Sequence, residues 1–367
     1  MKTLLYIIAL SAALFATNSE TAACKKCHPT IAQEFESSMH KKSSIYEDKV
    51  HKAVWDKHPA KAKGKYKCAK CHTPNAKSRV DTHKGITCIS CHTIKSIENH
   101  DKSNKNIYEN KPKTFYSAEI GHESEKIKYK TTSTWWGQKT TVGSAYHDID
   151  YTNKKFYNGS ICMGCHSHKQ NSHKFTVCET EDAGAKETSE NCITCHMPKI
   201  LGSATTVRIS EKHAFHGFAG ARVKPMMLAK YVTLGFNKST NGFNISIENQ
   251  SPHALLTHPL RVAQLRVTLT RENKHITLKT HTFVKVIGHN GKPSMPWVAT
   301  EVVKNTMIKA EEKRVVSFNE KLQSGDKLEV VLGFYVVNPK ALKKLNLENE
   351  KELQNFTVLK SQHFSVE

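Results

Sequence analysis

Apolar and polar positions divide this chain into two unlike parts. From residue 226 to 367, short runs alternate in character, as in Phe243, Ile245 and Ile247 or Leu265, Val267 and Leu269. A period of two turns one face of an extended segment toward a core and the other toward water. Strand-like runs recur over 231–236, 243–247, 260–270, 276–286, 314–318, 327–337 and 356–359. The turn signals Asn241-Gly242, Asn290-Gly291 and Ser324-Gly325-Asp326 separate several of them. About seven short strands over roughly 140 residues predict an all-β sandwich, with an immunoglobulin-like arrangement as its most specific form. One helix is expected near 339–353.

Residues 20–222 lack that periodicity. Aromatic and branched residues are sparse there, while His, Lys, Ser and Thr are plentiful. Such a composition does not build an ordinary core, so something other than side chains is expected to fill it. Ahead of this region, Lys2, the apolar run Leu4 to Phe15 and the small residues Ala16 to Ser19 read as a signal peptide over residues 1–19. The run is shorter than the roughly 20 apolar residues that span a bilayer. An uncleaved anchor is the runner-up. The expected organisation is therefore an export signal, a domain over 20–222 and a sandwich over 226–367.

The cysteines say what fills the first domain. Ten of the eleven fall in five copies of C-x-x-C-H: Cys24/Cys27/His28, Cys68/Cys71/His72, Cys88/Cys91/His92, Cys162/Cys165/His166 and Cys192/Cys195/His196. Thiols two residues apart lie about one helical turn apart, within reach of both vinyl groups of one porphyrin. The adjoining His supplies an axial ligand to the iron. A single copy is compatible with a redox dithiol or half a zinc site; five copies, each with its His, predict five covalently attached c-type haems. Porphyrins then form the core, and short helices and loops wrap around them. Covalent haem attachment also fits an oxidising compartment, the periplasm. Cys178 is left over. It reads as a small buried hydrophobe, with a haem thiolate ligand or reactive thiol as the alternative.

Haems change the reading of charge. The formal net charge is +22. Ten haem propionates would reduce it to around +12 if all ionise. The remaining positive surface suits an acidic redox partner protein or contact with an anionic membrane surface. Nucleic acid is not expected, because the lysines are dispersed and no aromatic-basic stacking motif occurs.

Five motif histidines leave seventeen others. An electron-transfer iron in a multihaem protein usually takes a second His, or a Met that raises its potential. Chain position favours His40 after the first motif, His83 and His100 on either side of the third, His147 before the fourth, and His216 after the fifth, with His213 as its substitute. His168 and His173 come next, then His51, His58 and His122. Met39 and Met197 are ligand-capable but read as packing. Motifs two and three lie twenty residues apart and motifs four and five thirty, as their first cysteines show. Chain that short should hold paired porphyrins close together.

The opening Cys24-x-x-Cys27-His28-Pro29 with Phe35-Glu-Ser-Ser-Met-His40 resembles multihaem cytochromes of the c-552/4 type. These belong with hydroxylamine oxidoreductase and pentahaem nitrite reductase in one superfamily. Gly85-Ile-Thr-Cys88, Cys195-His196-Met197-Pro198 and His216-Gly-Phe-Ala-Gly220 are similar to later haem sites of that group. Asn249-Gln-Ser-Pro-His253 to His258-Pro-Leu-Arg261 looks, more weakly, like the sandwich domains appended to some members. His253 and His258 carry a structural reading there, with a haem-facing role as the alternative. The resemblance implies electron transfer among closely packed haems, mostly with two His per iron. It departs from the enzymes of the group: there is no C-x-x-C-K, and five haems can be attached rather than eight. The leading expectation is a periplasmic electron carrier between respiratory redox partners. The alternative is a reductase or oxidase of a small nitrogen or sulfur compound at one five-coordinate haem.

Overall fold

The computed structural model describes residues 20–78, 80–111, 113–180 and 190–367. The signal peptide expected over 1–19 lies outside the described residues. Among those described, no helix is long and apolar enough to cross a membrane.

In the first part, each haem motif closes one tight helical turn. His28 donates its amide to Cys24 at 2.9 Å and His72 to Cys68 at 3.0 Å. Helices this short leave most of their end groups unsatisfied, so caps matter. Asn191 accepts from the amides of Ile193 and Thr194 at the start of the helix Cys192–His196. Thr194 returns a bond to the Asn191 amide at 2.8 Å. Thr87 and Ser90 make the same reciprocal arrangement at Cys88–His92. Such caps contribute about 1 kcal/mol each.

The expectation of mainly short helices and loops leaves out one feature. Small sheets fill the intervals between motifs. Ile94–Glu98 pairs with Lys105–Tyr108, His168–Gln170 with Thr176–Glu179, and Lys199–Leu201 with Lys212–Ala214. Lys130–Ser133 pairs with Lys139–Val142, and Asp148–Asp150 joins Thr114–Tyr116 and Lys126–Ile127. Most are exposed or half-buried on both faces, so they carry no apolar period to read. The region's buried apolar cluster is small: Ile94, Tyr116, Phe156 and Ile161.

The second part is a two-sheet structure. One sheet orders Val232–Ser239, Gly242–Asn249 and Lys313–Phe318. The other runs Lys292–Pro293, His281–His289, Val262–Arg271, Lys327–Tyr335 and Thr357–Ser365, with Lys274–Thr277 and Glu301–Asn305 joined at its side. The alternating positions meet as expected. Ile245 pairs with Val316, and Leu265, Val267 and Leu269 pair with Leu332, Val330 and Leu328. Side chains of both sheets form one core, with Phe243, Ile245, Leu265 and Leu328 fully buried. The run read as one strand over 276–286 is two. Thr268 pairs with Thr277 but Leu265 with His281, one residue out of register, so a bulge interrupts the edge. The expected helix near 339–353 is three short turns, Pro339–Leu342, Lys343–Leu345 and Lys351–Leu353.

Those turns join the two parts. Val337, Leu342, Leu345, Leu347 and Leu353 pack around Ala53 of the helix Lys49–Asp56. At the rim, Lys49 pairs with Glu350 and Glu352. Asn171 donates to Pro296 and Ala299 carbonyls at 2.8 and 2.6 Å.

Candidate haem-binding sites

The motif histidines are held by their inner nitrogens. Nδ1 of His28, His72, His92 and His196 lies 2.8, 3.0, 2.7 and 2.6 Å from the carbonyls of Ala204, Ser43, Tyr116 and Ala219. A carbonyl only accepts, so Nδ1 carries the proton and Nε2 presents a free lone pair. Burial pushes His72 down to about 4 and lowers His92, His166 and His196 as well. These rings are therefore neutral, the form that binds a metal.

Four of them face a second imidazole. His28 and His147 have ring centroids 6.2 Å apart, His92 and His216 6.2 Å, His196 and His253 6.1 Å, and His166 and His40 5.8 Å. Three pairs are near parallel, at 28°, 16° and 16°; the fourth is crossed at 82°. A metal held from both sides at about 2 Å per nitrogen sets ring centres about 6 Å apart. Direct packing of two rings does not require that spacing. Three of the second imidazoles share the electrostatics of the first. Burial drives His40 down to about 3 and His216 to about 4, and lowers His147. His216 Nδ1 lies 2.7 Å from the Ala214 carbonyl and His253 Nδ1 3.0 Å from that of Ala254. Among the described residues no group of three or more His, Cys, Asp or Glu is arranged around a bare ion. Imidazoles meeting in twos beside C-x-x-C thiols fit haem iron and not zinc.

The remaining motif histidine, that of the second motif, is different. His72 packs against His51 at 4.0 Å, tilted by 39°, too close to flank an iron. Both rings address the Ser43 carbonyl, and His51 Nε2 is buried with no partner. His258 feels the charge of His72; desolvation by the surrounding fold pushes it down to about 4, and the half-buried Arg261 beside it down to about 10. These two come from the loop between Gly242–Asn249 and Val262–Arg271.

Several candidates sit elsewhere. His83 stacks on Tyr46 at 3.4 Å. His100 Nδ1 accepts from the Lys102 amide at 3.2 Å, and its carbonyl takes His168 Nε2 at 3.0 Å. His213 is buried with both nitrogens engaged, Nδ1 at the Gly202 carbonyl and Nε2 at Glu34 Oε1, 2.9 Å away. The other Glu34 oxygen accepts the His216 amide at 2.8 Å. His213 thus braces the segment that carries His216. His58 lies beside Trp55 and Trp297, and His122 is 2.9 Å from Glu125. Cys178 is half-buried in its strand, and burial raises its thiol, which keeps it protonated.

Two local features position the pairs. Gly85 has φ +66°, and a Cβ there would lie 2.2 Å from the Lys41 carbonyl oxygen. That approach lets the Ile86 amide donate to the His40 carbonyl at 3.2 Å, tying the third motif to the His40 segment. Phe218 sits at φ +56°, and its ring lies edge-on to His40 at 4.2 Å.

The thiols show which motifs adjoin. Cys71 touches Cys165, and Cys162 touches Cys192. Cys91 acts electrostatically on both cysteines of the fourth motif. The fourth motif is therefore a hub beside the second, third and fifth, not only the neighbour of the fifth that chain spacing suggested.

Residues 23–93 match the family model of cytochrome c554 and c-prime. No curated protein matches the sequence significantly. The fold is similar to a solved pentahaem cytochrome c552 from Thermochromatium tepidum, with TM-score 0.70 and 19% identity over 95% of this chain and 99% of that one. Five C-x-x-C-H motifs, the family match and the shared fold together support a multihaem c-type cytochrome that carries covalently bound haem c.

Proposed function

We propose that this protein is a periplasmic pentahaem cytochrome that carries electrons between respiratory redox partners. The observation that carries the reading is the four imidazole pairs with centroids 5.8–6.2 Å apart. In this reading Cys24, Cys27, Cys68, Cys71, Cys88, Cys91, Cys162, Cys165, Cys192 and Cys195 attach five haems. His28/His147, His92/His216, His166/His40 and His196/His253 ligate four irons, and His72 the fifth. A haem so held would supply an iron able to change between ferrous and ferric while the imidazoles that hold it stay in place.

The chain's own work is to hold those nitrogens still. Carbonyls fix the Nδ1 protons of His28, His72, His92, His196, His216 and His253, desolvation favours the neutral form of His40, His72, His92 and His216, and Glu34 with His213 locks the His216 segment. Contact of the fourth motif with the second and fifth, and its electrostatic coupling to Cys91 of the third, support a compact array rather than isolated centres. The sandwich supplies His253 and serves to shield or dock the haem region.

A second reading, a small-molecule reductase or oxidase, draws on one observation: among the described residues His72 has no partner ring at iron-spanning distance, its nearest ring being His51 at 4.0 Å. Electron paramagnetic resonance of the oxidised protein, with carbon monoxide added after reduction, separates the two. Five low-spin irons that ignore the gas establish the carrier. One high-spin, gas-binding iron overturns the pure carrier and directs substrate screening to the His72 site.

A further inference from the structure

The hairpin formed by Lys130–Ser133 and Lys139–Val142 has no role in holding the histidine pairs. All its strand residues are exposed. Its tip is an ordered turn. Thr134 donates its amide to the Gln138 carbonyl at 2.8 Å, Gly137 donates to Thr134 at 3.0 Å, and Thr134 Oγ1 accepts from the Gln138 amide at 3.1 Å. Gly137 takes φ +78°, a conformation open to glycine. The two residues at the crest are therefore fixed in place, and they are Trp135 and Trp136, 93% and 88% exposed. Leaving two indoles in water forgoes the burial that such large rings normally gain. A ribbon of four-residue strands, about 13 Å long, holds them off the body.

The surrounding charge narrows what covers them. Residues 126–147 contain four lysines and no carboxylate. Lys126 is paired with Asp150, while Lys128, Lys130 and Lys139 are exposed. Below the crest, Tyr129 and Val142 add apolar surface, 51% and 54% exposed. Indoles at a tip with lysines behind them match a lipid interface, where amphipathic rings sit among headgroups and ammonium groups meet anionic phosphates. A second copy of this basic chain would meet its own like charge.

We infer that this hairpin is a membrane-surface anchor, with Trp135 and Trp136 seated in the headgroup layer of an anionic bilayer and Lys128, Lys130 and Lys139 facing its phosphates. Anchoring of this kind would hold the electron-transfer body at a membrane, but the inference does not depend on any redox partner.

The test uses the haem-loaded protein and vesicles of phosphatidylcholine, alone or with about one-third phosphatidylglycerol. Co-sedimentation is read by haem absorbance. Binding to the anionic vesicles is expected, with loss at about 0.5 M salt. Trp135→Ser with Trp136→Ser should weaken binding about tenfold or more. Lys128→Gln, Lys130→Gln and Lys139→Gln together should also weaken it, with haem spectra unchanged in both variants. Wild-type protein that stays in the supernatant overturns the inference, as does a double Trp variant that binds normally. Light scattering supplies a further refutation: a wild-type dimer that the Trp changes dissociate, without effect on vesicle binding, makes the tip a contact between copies. The haem spectra of the same samples test the electron-carrier reading separately.

Discussion

A single imidazole decides how each iron behaves, because a low-spin carrier and a ligand-binding centre differ by one axial nitrogen. His253 makes the sharpest case, since it comes from the sandwich and faces His196 at 6.1 Å. His253→Ala is expected to convert one low-spin iron to high-spin and to open it to carbon monoxide, leaving the other irons unchanged. Resonance spectra and gas titration of the haem-loaded variant check this. An unchanged spectrum would mean that the stacked geometry is packing and that His196 finds its second ligand elsewhere. His213 illustrates why a histidine in a promising sequence position need not be the one that faces a motif. Three residues from His216, it spends Nδ1 on the Gly202 carbonyl and Nε2 on the Glu34 carboxylate, so neither nitrogen is left to point at a metal.

Among elements, the strands with one buried face were readable and the rest were not. Gly242–Asn249 and Val262–Arg271 alternate buried and half-buried residues through most of their length. The small sheets between haem motifs have no such face, and their Thr- and Lys-rich strands look like loop. His40 and His147 lie close in sequence to a haem motif and drew attention on that ground. The His253 pairing is purely tertiary, made by a loop of the other fold unit, and spacing carries no trace of it. At this scale two changes are informative. Gly85→Ala puts a Cβ 2.2 Å from the Lys41 carbonyl in a conformation that disfavours side chains, and should cost about 3 kcal/mol or more. Denaturant unfolding measures it, and a loss under about 1 kcal/mol would mean the loop relaxes freely. Asp326 tests the sandwich. Its carboxylate accepts from Arg271 at 3.0 and 2.8 Å, which holds it below its ordinary value of 3.8. The stabilisation is therefore full above that value and is lost as pH falls through the lower folded one. Asp326→Asn should be less stable at neutral pH by about 1–3 kcal/mol. Its stability should also fall less steeply than wild type below about pH 4; equal slopes would remove the Arg271 pairing as the cause.

Across the whole molecule, apolar burial is distributed very unevenly. One core shared by two sheets serves the sandwich, from Val232 to Leu359. The haem region has a cluster of four buried residues and a set of half-buried histidines whose pKa values are lowered by desolvation. Small, scattered apolar burial of this kind is a weak offset to the entropy of ordering so long a stretch of chain. Haem would supply what is missing, a large apolar body and an iron for the facing imidazoles to hold. Chain expressed without haem attachment should therefore keep slow amide exchange in Val262–Arg271 and Lys327–Tyr335, the sandwich's central strands. It should lose protection around Cys88–His92 and Cys192–His196. Haem-loaded protein should protect both regions. Hydrogen exchange with mass spectrometry distinguishes the outcomes. Protection of the motif helices in haem-free chain would mean that side-chain packing alone holds the region, and that haem enters a site already built. Loss of protection in the sandwich as well would show that the Ala53 cluster, which joins the helix Lys49–Asp56 to Leu342, Leu345 and Leu353, makes the two parts fold as one.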